Sequence, residues 1–108
     1  MVAVGGGLAY GNLGYSHHAI QDFSLMRSFP NVVIVAPADP LEMEACMKFL
    51  IKNPQPSYLR INKSGEKKIP NKNFRLNPGT VNIYHENIKT KNIILTTGAV
   101  LDLSLIHI

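Results

Sequence analysis

The sequence predicts an α/β fold in which a parallel sheet is covered by flanking helices, and two observations favour it. In residues 1–61, short apolar segments that suit strands alternate with segments of helical periodicity. Such alternation needs crossover connections, which produce a parallel sheet with helices on its faces. The second observation is the run Val32-Val33-Ile34-Val35, which is apolar on both faces. A strand that is covered by helices on both sides needs a run of this kind.

The first predicted strand, residues 1–4, leads into a glycine-rich loop that starts at Gly5-Gly6-Gly7 and continues through Gly14. Glycine clusters of this kind indicate a loop that follows the strand. We expect the next helix to begin at Ser16, whose hydroxyl can accept hydrogen bonds from the first free backbone N–H groups. Pro30 ends that helix, because the residue before a proline avoids the helical region. Its apolar stripe has three- and four-residue spacing and comprises Ala19, Ile20, Phe23 and Met26.

The second predicted strand, residues 31–37, precedes the clearest local signal in the chain, which is a helix N-terminus. Asp39 is the expected N-cap, Pro40 stands at the first helical position, and Glu42 at N3 completes a capping box. The helix is expected to run to about Lys52, where Asn53-Pro54 stops it. Its solvent face carries Glu44, Lys48 and Lys52, and its inner residues are Leu41, Ala45, Cys46, Phe49 and Leu50, with Met43 and Met47 also assigned to the core.

A third predicted strand, residues 57–61, completes the first domain, residues 1–61. Residues 62–79 are polar, basic and contain prolines, so we interpret them as a linker. Two further strand candidates, residues 80–85 and 92–97, predict that residues 80–108 are the truncated start of a second α/β domain. A helix can begin after Gly98, but residues 103–108 supply no polar helical face, which indicates a truncated or foreign end.

Composition excludes several classes of function. The net charge is +4, but the basic residues of the second half lie among Asn, Pro and Gly with few aromatic residues between them. A nucleic-acid interface would need basic and stacking residues on one face, so we predict no nucleic-acid partner, although this charge can steer a phosphorylated substrate. The longest apolar run is too short to span a membrane. The single cysteine, Cys46, favours a reducing compartment, so we expect a cytoplasmic location and an inert buried thiol.

Six short motifs follow one another in a fixed order. They are Gly14-Tyr15-Ser16-His17, Asp22, Met26-Arg27, Pro30-Asn31, Pro37-Ala38-Asp39-Pro40-Leu41-Glu42 and Tyr58-Leu59-Arg60. This series resembles the pyrimidine-binding domain of the transketolase family, including the deoxyxylulose-phosphate synthases and the split transketolase-like enzymes. Members carry a Gly-Pro-Thr-His turn, an acidic residue, Met/Leu-Arg, Pro-Asn, Pro-x-Asp-x-x-Glu and a closing Leu-x-Arg. The resemblance spans about residues 2–61, and residues 92–101 resemble the first strand of the family's C-terminal domain.

The resemblance implies an enzyme that moves a two-carbon ketol unit between sugar-like substrates, with thiamine diphosphate and Mg²⁺ as cofactors of the complete enzyme. It implies that His17 is the catalytic histidine, and that Ser16, His18 and Arg60 bind substrate, with Arg60 on a phosphate group. In the first turn of a helix, His17 would lie at the positive end of the helix dipole, which favours a neutral imidazole that can donate and accept. Structural roles for the same residues stay open: a histidine can satisfy the loop backbone, and an arginine can form a salt bridge.

Two departures from the family pattern affect the expected substrate. Leu13 occupies the position where transketolases that use phosphosugars usually carry an aspartate, and Tyr15 replaces the usual proline. Loss of that carboxylate puts the ordinary pentose-phosphate substrates in doubt and suits the split relatives better.

The resemblance also implies partners. The family's activating glutamate, its stacking aromatic residues and its element that holds magnesium and diphosphate are not found in this sequence. We therefore expect the chain to be inactive alone and to need the other half of the enzyme, a diphosphate-binding domain or subunit, in a homo- or heterodimer. Two alternatives remain: the β subunit of a 2-oxoacid dehydrogenase, whose turn usually reads Gln-His-Ser, and a non-catalytic α/β interaction module.

Overall fold

Three parallel strands form the sheet at the centre of the chain. The computed structural model describes residues 1–63, 65–70, 74–89 and 91–106. Strands β1 (Val2–Val4), β2 (Val33–Val35) and β3 (Ser57–Ile61) lie in the spatial order β1-β3-β2. The other elements are two short 3-10 helices, Gly11–Leu13 and Tyr15–His17, and three α-helices, α1 (Asp22–Arg27), α2 (Pro40–Lys52) and α3 (Val100–Ile106). The predicted fold class, a parallel sheet with flanking helices, is confirmed. None of the helices in the described residues has the length and apolar character to cross a membrane.

Strand β3 is the central strand because it pairs in parallel with both of the others. Leu59 lies opposite Val2 of β1 on one side and opposite Val35 of β2 on the other. Tyr58 and Leu59 are 3% and 2% exposed. Because side chains alternate along a strand, Tyr58 and Arg60 lie on one face of the sheet and Leu59 on the other.

Helix α2 begins at the predicted capping box. Asp39 Oδ1 accepts a hydrogen bond from the Glu42 N–H at 2.8 Å, and Glu42 Oε2 accepts one from the Ala38 N–H at 2.8 Å. The glutamate therefore closes the box one residue before the N-cap. At the other end, the Asn53 side-chain amide donates to the Phe49 carbonyl at 2.9 Å, after which the helix stops. The predicted bounds of α2 and of the strand after it are both confirmed.

The same two carboxylates also bind the chain that follows β3. Asp39 Oδ2 accepts a hydrogen bond from the Ile69 N–H at 2.7 Å, and Glu42 Oε1 accepts one from the Tyr84 hydroxyl. Beside them lies a buried apolar cluster of Ala38, Ile69 and Leu101, with Tyr84 and Leu105 packed against it. Part of the segment interpreted as a linker is therefore anchored to the N-terminus of α2.

The prediction that the first helix begins at Ser16 is wrong. Helix α1 begins at Asp22, and its N-cap, Gln21, makes no side-chain capping bond. His18 adopts an extended backbone conformation, and Ala19 forms bridges to the glycine loop, so residues 18 and 19 interrupt the helix. Residues 15–17 form a single 3-10 turn instead. The helix-dipole argument for His17 consequently has no α-helix to act through.

The strands predicted at residues 80–85 and 92–97 are also not formed. All three strands of the described residues lie between residues 2 and 61. Ile93 and Leu95 are 85% and 79% exposed. A strand needs a hydrogen-bonded neighbour, and the described residues offer none beside these segments. Helix α3 does form after Gly98 and buries Leu101, although its sequence supplies no polar face; residues 107 and 108 lie outside the described residues. The domain boundaries 1–61, 62–79 and 80–108 stay a prediction.

Fewer residues of α2 are buried than its sequence pattern predicts. Cys46 is 4% exposed, as predicted, whereas Leu41 and Met47, which the pattern assigns to the core, are 41% and 38% exposed. Burial, and secondarily the nearby Glu42 carboxylate, raises the pKa of the Cys46 thiol to about 11. The thiol is therefore protonated at neutral pH, and the interpretation of Cys46 as an inert buried cysteine is supported.

Replacing Asp39 with alanine should destabilise the junction between α2 and residues 65–70. The change removes the N-cap bond and leaves the buried Ile69 N–H without its acceptor, which together should cost about 1–3 kcal/mol. Hydrogen exchange of the α2 amides in the full-length protein measures the loss. The matched control is Glu44→Gln, because Glu44 lies exposed on the same helix in an ion pair with Lys48. Equal exchange in both variants would contradict the dual role of Asp39.

The Cys46 thiol should react slowly with iodoacetamide in the folded protein. At pH 8 a pKa near 11 rather than 9 lowers the thiolate fraction about 100-fold, and burial slows access further. Mass spectrometry of the peptide that contains residue 46, with and without denaturing urea, measures the difference. Similar rates in both conditions would contradict the buried environment.

Candidate functional site

The glycine loop that follows β1 is packed tightly against its neighbours. Gly5 and Gly6 donate backbone hydrogen bonds to the Ile61 carbonyl at 3.0 and 3.3 Å. Gly5 has a φ of 80°, and a Cβ atom there would lie 2.1 Å from Cε2 of Tyr10. A larger residue at this position would meet both the backbone penalty and the Tyr10 ring. Close packing, as well as backbone freedom, therefore explains this glycine.

Gly6 and Gly7 lie against the side chain of Arg60. A Cβ atom on Gly6 would lie 2.1 Å from Arg60 Nε, and one on Gly7, whose φ is 64°, would lie 3.0 Å from Nη2. The guanidinium thus occupies the space that side chains on these two residues would fill. The loop and the end of β3 can approach each other only because both positions are glycine.

Ala19 joins the loop to the turn that carries the candidate histidines. The Gly7 N–H donates to the Ala19 carbonyl at 2.9 Å, and the Ala19 N–H donates to the Gly7 carbonyl at 3.0 Å. We call this reciprocal pair the Gly7–Ala19 bridge. His18 Nε2 donates to the Gly11 carbonyl at 3.0 Å, which ties the same turn to the first 3-10 helix. The position of residues 15–18 is consequently set by backbone contacts on two sides.

His17 lies exposed at the surface of this turn. Its Nδ1 is 3.0 Å from Ser16 Oγ, within hydrogen-bond distance, and the tautomer decides which of the two atoms donates. The Tyr10 ring contacts the imidazole edge-on, with centroids 6.5 Å apart. No described residue hydrogen-bonds His17 Nε2. The arrangement therefore restrains the ring on its Nδ1 side and leaves Nε2 without a hydrogen-bond partner among the described residues.

Arg60 is held on three sides. Its Nη2 donates to the Ala19 carbonyl at 2.9 Å, its Nε lies 3.4 Å from Asp22 Oδ2, and its guanidinium carbon lies 4.2 Å from the centroid of the Phe23 ring. The side chains of Arg60 and Asp22 are only 16% and 14% exposed. A partly buried ion pair is screened less than a surface pair, so this contact fixes the guanidinium more firmly than a solvent-exposed one would.

The Asp22 carboxylate has one occupied oxygen and one without a partner. Its Oδ2 accepts from the Tyr58 hydroxyl at 2.7 Å as well as facing Arg60. Its Oδ1 is buried and has no hydrogen-bond partner within the described part of the chain. Burial and then the bond to Asp22 raise the pKa of Tyr58 to about 12, so the phenol stays a donor well above neutral pH.

Three of the four predicted site residues lie on one turn, and the fourth, Arg60, contacts the backbone next to that turn. Ser16, His17 and His18 are consecutive, and Arg60 reaches the same turn through the Ala19 carbonyl. Sequence reasoning missed Tyr10, which touches both Gly5 and His17, and it saw Asp22 only as a family motif residue. The signal for Tyr10 was an aromatic residue inside a glycine-rich loop. Nothing in the sequence spacing pairs Asp22 with Tyr58 and Arg60.

A separate cleft of about 320 Å³ lies at the carboxyl ends of the three strands. Its walls include Val4, Pro37, Ala38, Ile61 and Asn62. Ligands of open α/β sheets usually bind at this edge. None of the four predicted site residues lines this strand-end cleft. The turn of residues 15–18, which we call the histidine turn, is therefore a distinct feature.

The histidine turn offers few groups that could hold a cofactor or metal. The described residues contain no cluster of three or more His, Cys, Asp or Glu side chains with metal-binding geometry. The Asp22 carboxylate is engaged with Tyr58 and Arg60 through Oδ2 alone. The described residues around the turn therefore offer no ready-made set of ligands for a metal ion.

Comparison with known proteins identifies the family. Residues 1–66 match the family described as Transketolase, pyrimidine binding domain. The chain belongs to the transketolase family. This match covers the sheet, helices α1 and α2 and the histidine turn, and it confirms the resemblance that the sequence motifs indicate.

Individual relatives agree with the family assignment. A subunit of apulose-4-phosphate transketolase from Phocaeicola vulgatus is 38% identical over 64 residues, which are 59% of this chain and 20% of that protein. 1-Deoxy-D-xylulose-5-phosphate synthase of Pelotomaculum thermopropionicum is 37% identical over 54 residues, 50% of this chain and 8% of that protein. A solved structure, "Split gene transketolase, inactive beta4 tetramer", is similar with a TM-score of 0.62 and 32% identity over 79% of this chain and 26% of that one. This transketolase chain therefore spans about a quarter or less of the length of these relatives.

The Tyr58 hydroxyl should make stability fall as the pH rises from 10 to 12. A tyrosine in the unfolded chain releases its proton near pH 10, whereas folded Tyr58 keeps its proton until about pH 12. The folded state binds more protons in this window, so raising the pH favours unfolding. Tyr58→Phe should remove this component, as measured by thermal unfolding midpoints at each pH. Tyr15→Phe, at a tyrosine 69% exposed, is the control, and an identical pH slope for wild type and Tyr58→Phe would refute the assignment.

Proposed function

We propose that this chain forms the substrate-side wall of a thiamine-diphosphate-dependent transketolase that transfers a two-carbon ketol unit between sugar-like substrates. The proposal is supported by membership of the family and by the similarity to a transketolase subunit and to deoxyxylulose-phosphate synthases. The observation that carries it is the geometry of His17. An exposed imidazole with one nitrogen restrained by Ser16 and the other without a partner among the described residues suits contact with a substrate oxygen.

His17 would act by hydrogen bonding through Nε2. Depending on its tautomer, the imidazole can donate from Nε2 to a substrate hydroxyl or carbonyl oxygen, or accept at Nε2 from a substrate hydroxyl, and Ser16 Oγ can pair with Nδ1 in either case. Because the ring is restrained on its Nδ1 side and by the Tyr10 edge, little orientational freedom has to be lost when a substrate binds. We assign His17 the catalytic role, and Ser16 and His18 the role of shaping the substrate wall around it.

The cofactor supplies the nucleophilic carbon of this chemistry when it is bound. The described residues contain no cluster of His, Cys, Asp or Glu side chains that could hold a metal ion, and we propose that the magnesium ion and the cofactor's diphosphate are held by another domain or subunit. The chain alone is accordingly expected to be inactive. The relative from Phocaeicola vulgatus is one subunit of its enzyme, and together with the split-gene structure it supports a partner subunit. A homo- or heterodimer and a cytoplasmic location are part of our proposal; the first follows from the family resemblance alone and the second from the single cysteine.

The substrate is proposed to be a sugar or sugar phosphate. The relative from Phocaeicola vulgatus is named for a sugar phosphate. The family resemblance assigns Arg60 to a substrate phosphate. In this structure, however, its guanidinium is engaged by Asp22, Ala19 and Phe23, which supports its salt-bridge role. Leu13 is 54% exposed in the first 3-10 helix, where the usual aspartate would contribute a carboxylate. We therefore expect weak use of ordinary pentose phosphates.

The two alternatives receive less support. The relatives described above are transketolases and deoxyxylulose-phosphate synthases, and no feature of the histidine turn favours a 2-oxoacid dehydrogenase β subunit. A non-catalytic interaction module would have no need for a restrained, exposed imidazole. Calorimetry with thiamine diphosphate, with and without Mg²⁺, on the full-length protein and its partner subunit separates enzyme from module. Absence of magnesium-dependent binding would overturn the proposed function.

Replacing His17 with alanine in the full-length protein should lower kcat for ketol transfer by about 100-fold or more while leaving the Kd for thiamine diphosphate nearly unchanged. The imidazole contacts substrate in the proposal and makes no contact that holds the cofactor. Steady-state kinetics and calorimetry measure the two effects. His85→Ala is the matched control, because His85 is exposed and lies outside the turn. A wild-type kcat for His17→Ala would return His17 to a structural role.

A further inference from the structure

We propose that Asp22 is a positioning residue that acts through Arg60 on the Gly7–Ala19 bridge and so sets the orientation of the His17 turn. Its catalytic consequence rests on the function proposed for His17. Its structural basis is the chain of contacts that runs from Asp22 to Arg60 to Ala19.

The first link fixes the guanidinium of Arg60. Two neighbouring residues of α1 contact it from different directions: the Asp22 carboxylate lies 3.4 Å from Nε, and the Phe23 ring lies 4.2 Å from the guanidinium carbon. A charge contact fixes the position of the group, and a stacked ring restricts the plane in which it lies. Because both charged side chains are largely buried, water cannot readily replace Asp22 as the partner of Arg60.

The second link carries this orientation to the backbone. Arg60 Nη2 donates to the Ala19 carbonyl, which also accepts from the Gly7 N–H. The guanidinium meanwhile fills the space beside Gly6 and Gly7, where added Cβ atoms would lie 2.1 and 3.0 Å from its nitrogens. Ala19 is only two residues from His17, so a shift of the guanidinium moves the segment that carries the imidazole.

The third link holds Asp22 itself. The Tyr58 hydroxyl donates to Asp22 Oδ2, the same oxygen that faces Arg60. Tyr58 and Arg60 lie two residues apart on one face of β3, so the carboxylate bridges two side chains of the strand that is paired on both sides. The buried Asp22 carboxylate therefore connects helix α1 to strand β3 directly and to the glycine loop through Arg60. The polar contacts of Asp22 and Tyr58 among the described residues run to each other and to Arg60, and no hydrogen bond joins either side chain to residues 15–18.

The decisive experiment is a double-mutant cycle in the full-length protein with its partner subunit. Asp22→Asn keeps the shape of the side chain and removes the charge that orients Arg60. It should lower kcat about 10-fold in the wild-type background, since small misplacements of catalytic groups carry penalties of this size. In a His17→Ala background the same change should lower kcat less than about 2-fold, because the group that it positions is gone. Equal losses in both backgrounds would overturn the inference.

A second measurement does not depend on activity. Hydrogen exchange of the Gly7 and Ala19 amides should be about 10-fold faster in Asp22→Asn, whereas exchange of the α2 amides should not change. Unaltered exchange at Gly7 and Ala19, or uniform acceleration across the protein, would overturn the inference. If Asp22→Asn does not fold, Arg60→Lys replaces it: lysine keeps the charge, lacks the planar fork, and should give the same local exchange pattern.

Two controls separate this inference from the proposed function. Glu44→Gln is an identical carboxylate-to-amide change in an exposed ion pair and should alter neither kcat nor exchange in residues 5–19. If the protein shows no thiamine-diphosphate-dependent turnover but Asp22→Asn still accelerates amide exchange at Gly7 and Ala19, the proposed function is refuted and the positioning role stands. If the wild type is fully active, the losses in kcat from Asp22→Asn and His17→Ala are additive, and Gly7 and Ala19 exchange at the wild-type rate in Asp22→Asn, the positioning role is refuted and the proposed function stands.

Discussion

The pairing of β3 with a parallel strand on each side is the constraint from which the rest of the structure follows. Strand β1 aligns Val4 with Ile61, and β2 aligns Val35 with Leu59. Parallel strands bring their carboxyl ends to one edge, so the glycine loop after β1 and the end of β3 must meet there. Arg60 stands at that meeting point. Its side chain can reach α1, the loop and the histidine turn only because the register of both ladders puts it there.

Gly5 and Gly6 allow close contacts in the loop, whereas Gly11 and Gly14 have open space around them and positive φ angles. Gly5 packs against the Tyr10 ring and Gly6 against Arg60, and a Cβ atom on either glycine would lie 2.1 Å from the neighbouring side chain. Conformational freedom alone would leave His17 on a mobile segment. The observed packing instead supports His17 on a loop that is fixed by the bridge to Ala19. A loop that is carried by a rigid scaffold is a common arrangement for functional residues.

The two carboxylates at the start of α2 each make two contacts of different kinds. Asp39 caps the helix with one oxygen and accepts from the Ile69 backbone with the other. Glu42 likewise divides its oxygens between the Ala38 N–H and the Tyr84 hydroxyl. The capping motif predicts only the first contact of each pair. The second contact connects the transketolase domain to the segment after β3 and needs no regular secondary structure in that segment.

Sequence alone determined the features that depend on neighbouring residues. Helix α2 and strand β3 have the predicted bounds because a capping box, a helix-stopping Asn-Pro and a short β-branched or aromatic run act over a few positions. The family was also found this way, although residues 16–18 were predicted as the start of a helix and form a 3-10 turn followed by an extended residue. Tertiary structure decided what depends on distant partners. Helix α1 begins at Asp22 and not at Ser16 because the Gly7–Ala19 bridge interrupts the helix, and the apolar segments at residues 80–85 and 92–97 form no strand among the described residues. The contacts of Asp22 with Tyr58 and Arg60 join residues nearly forty positions apart, which no local pattern encodes, because burial and hydrogen bonding across the sheet select them.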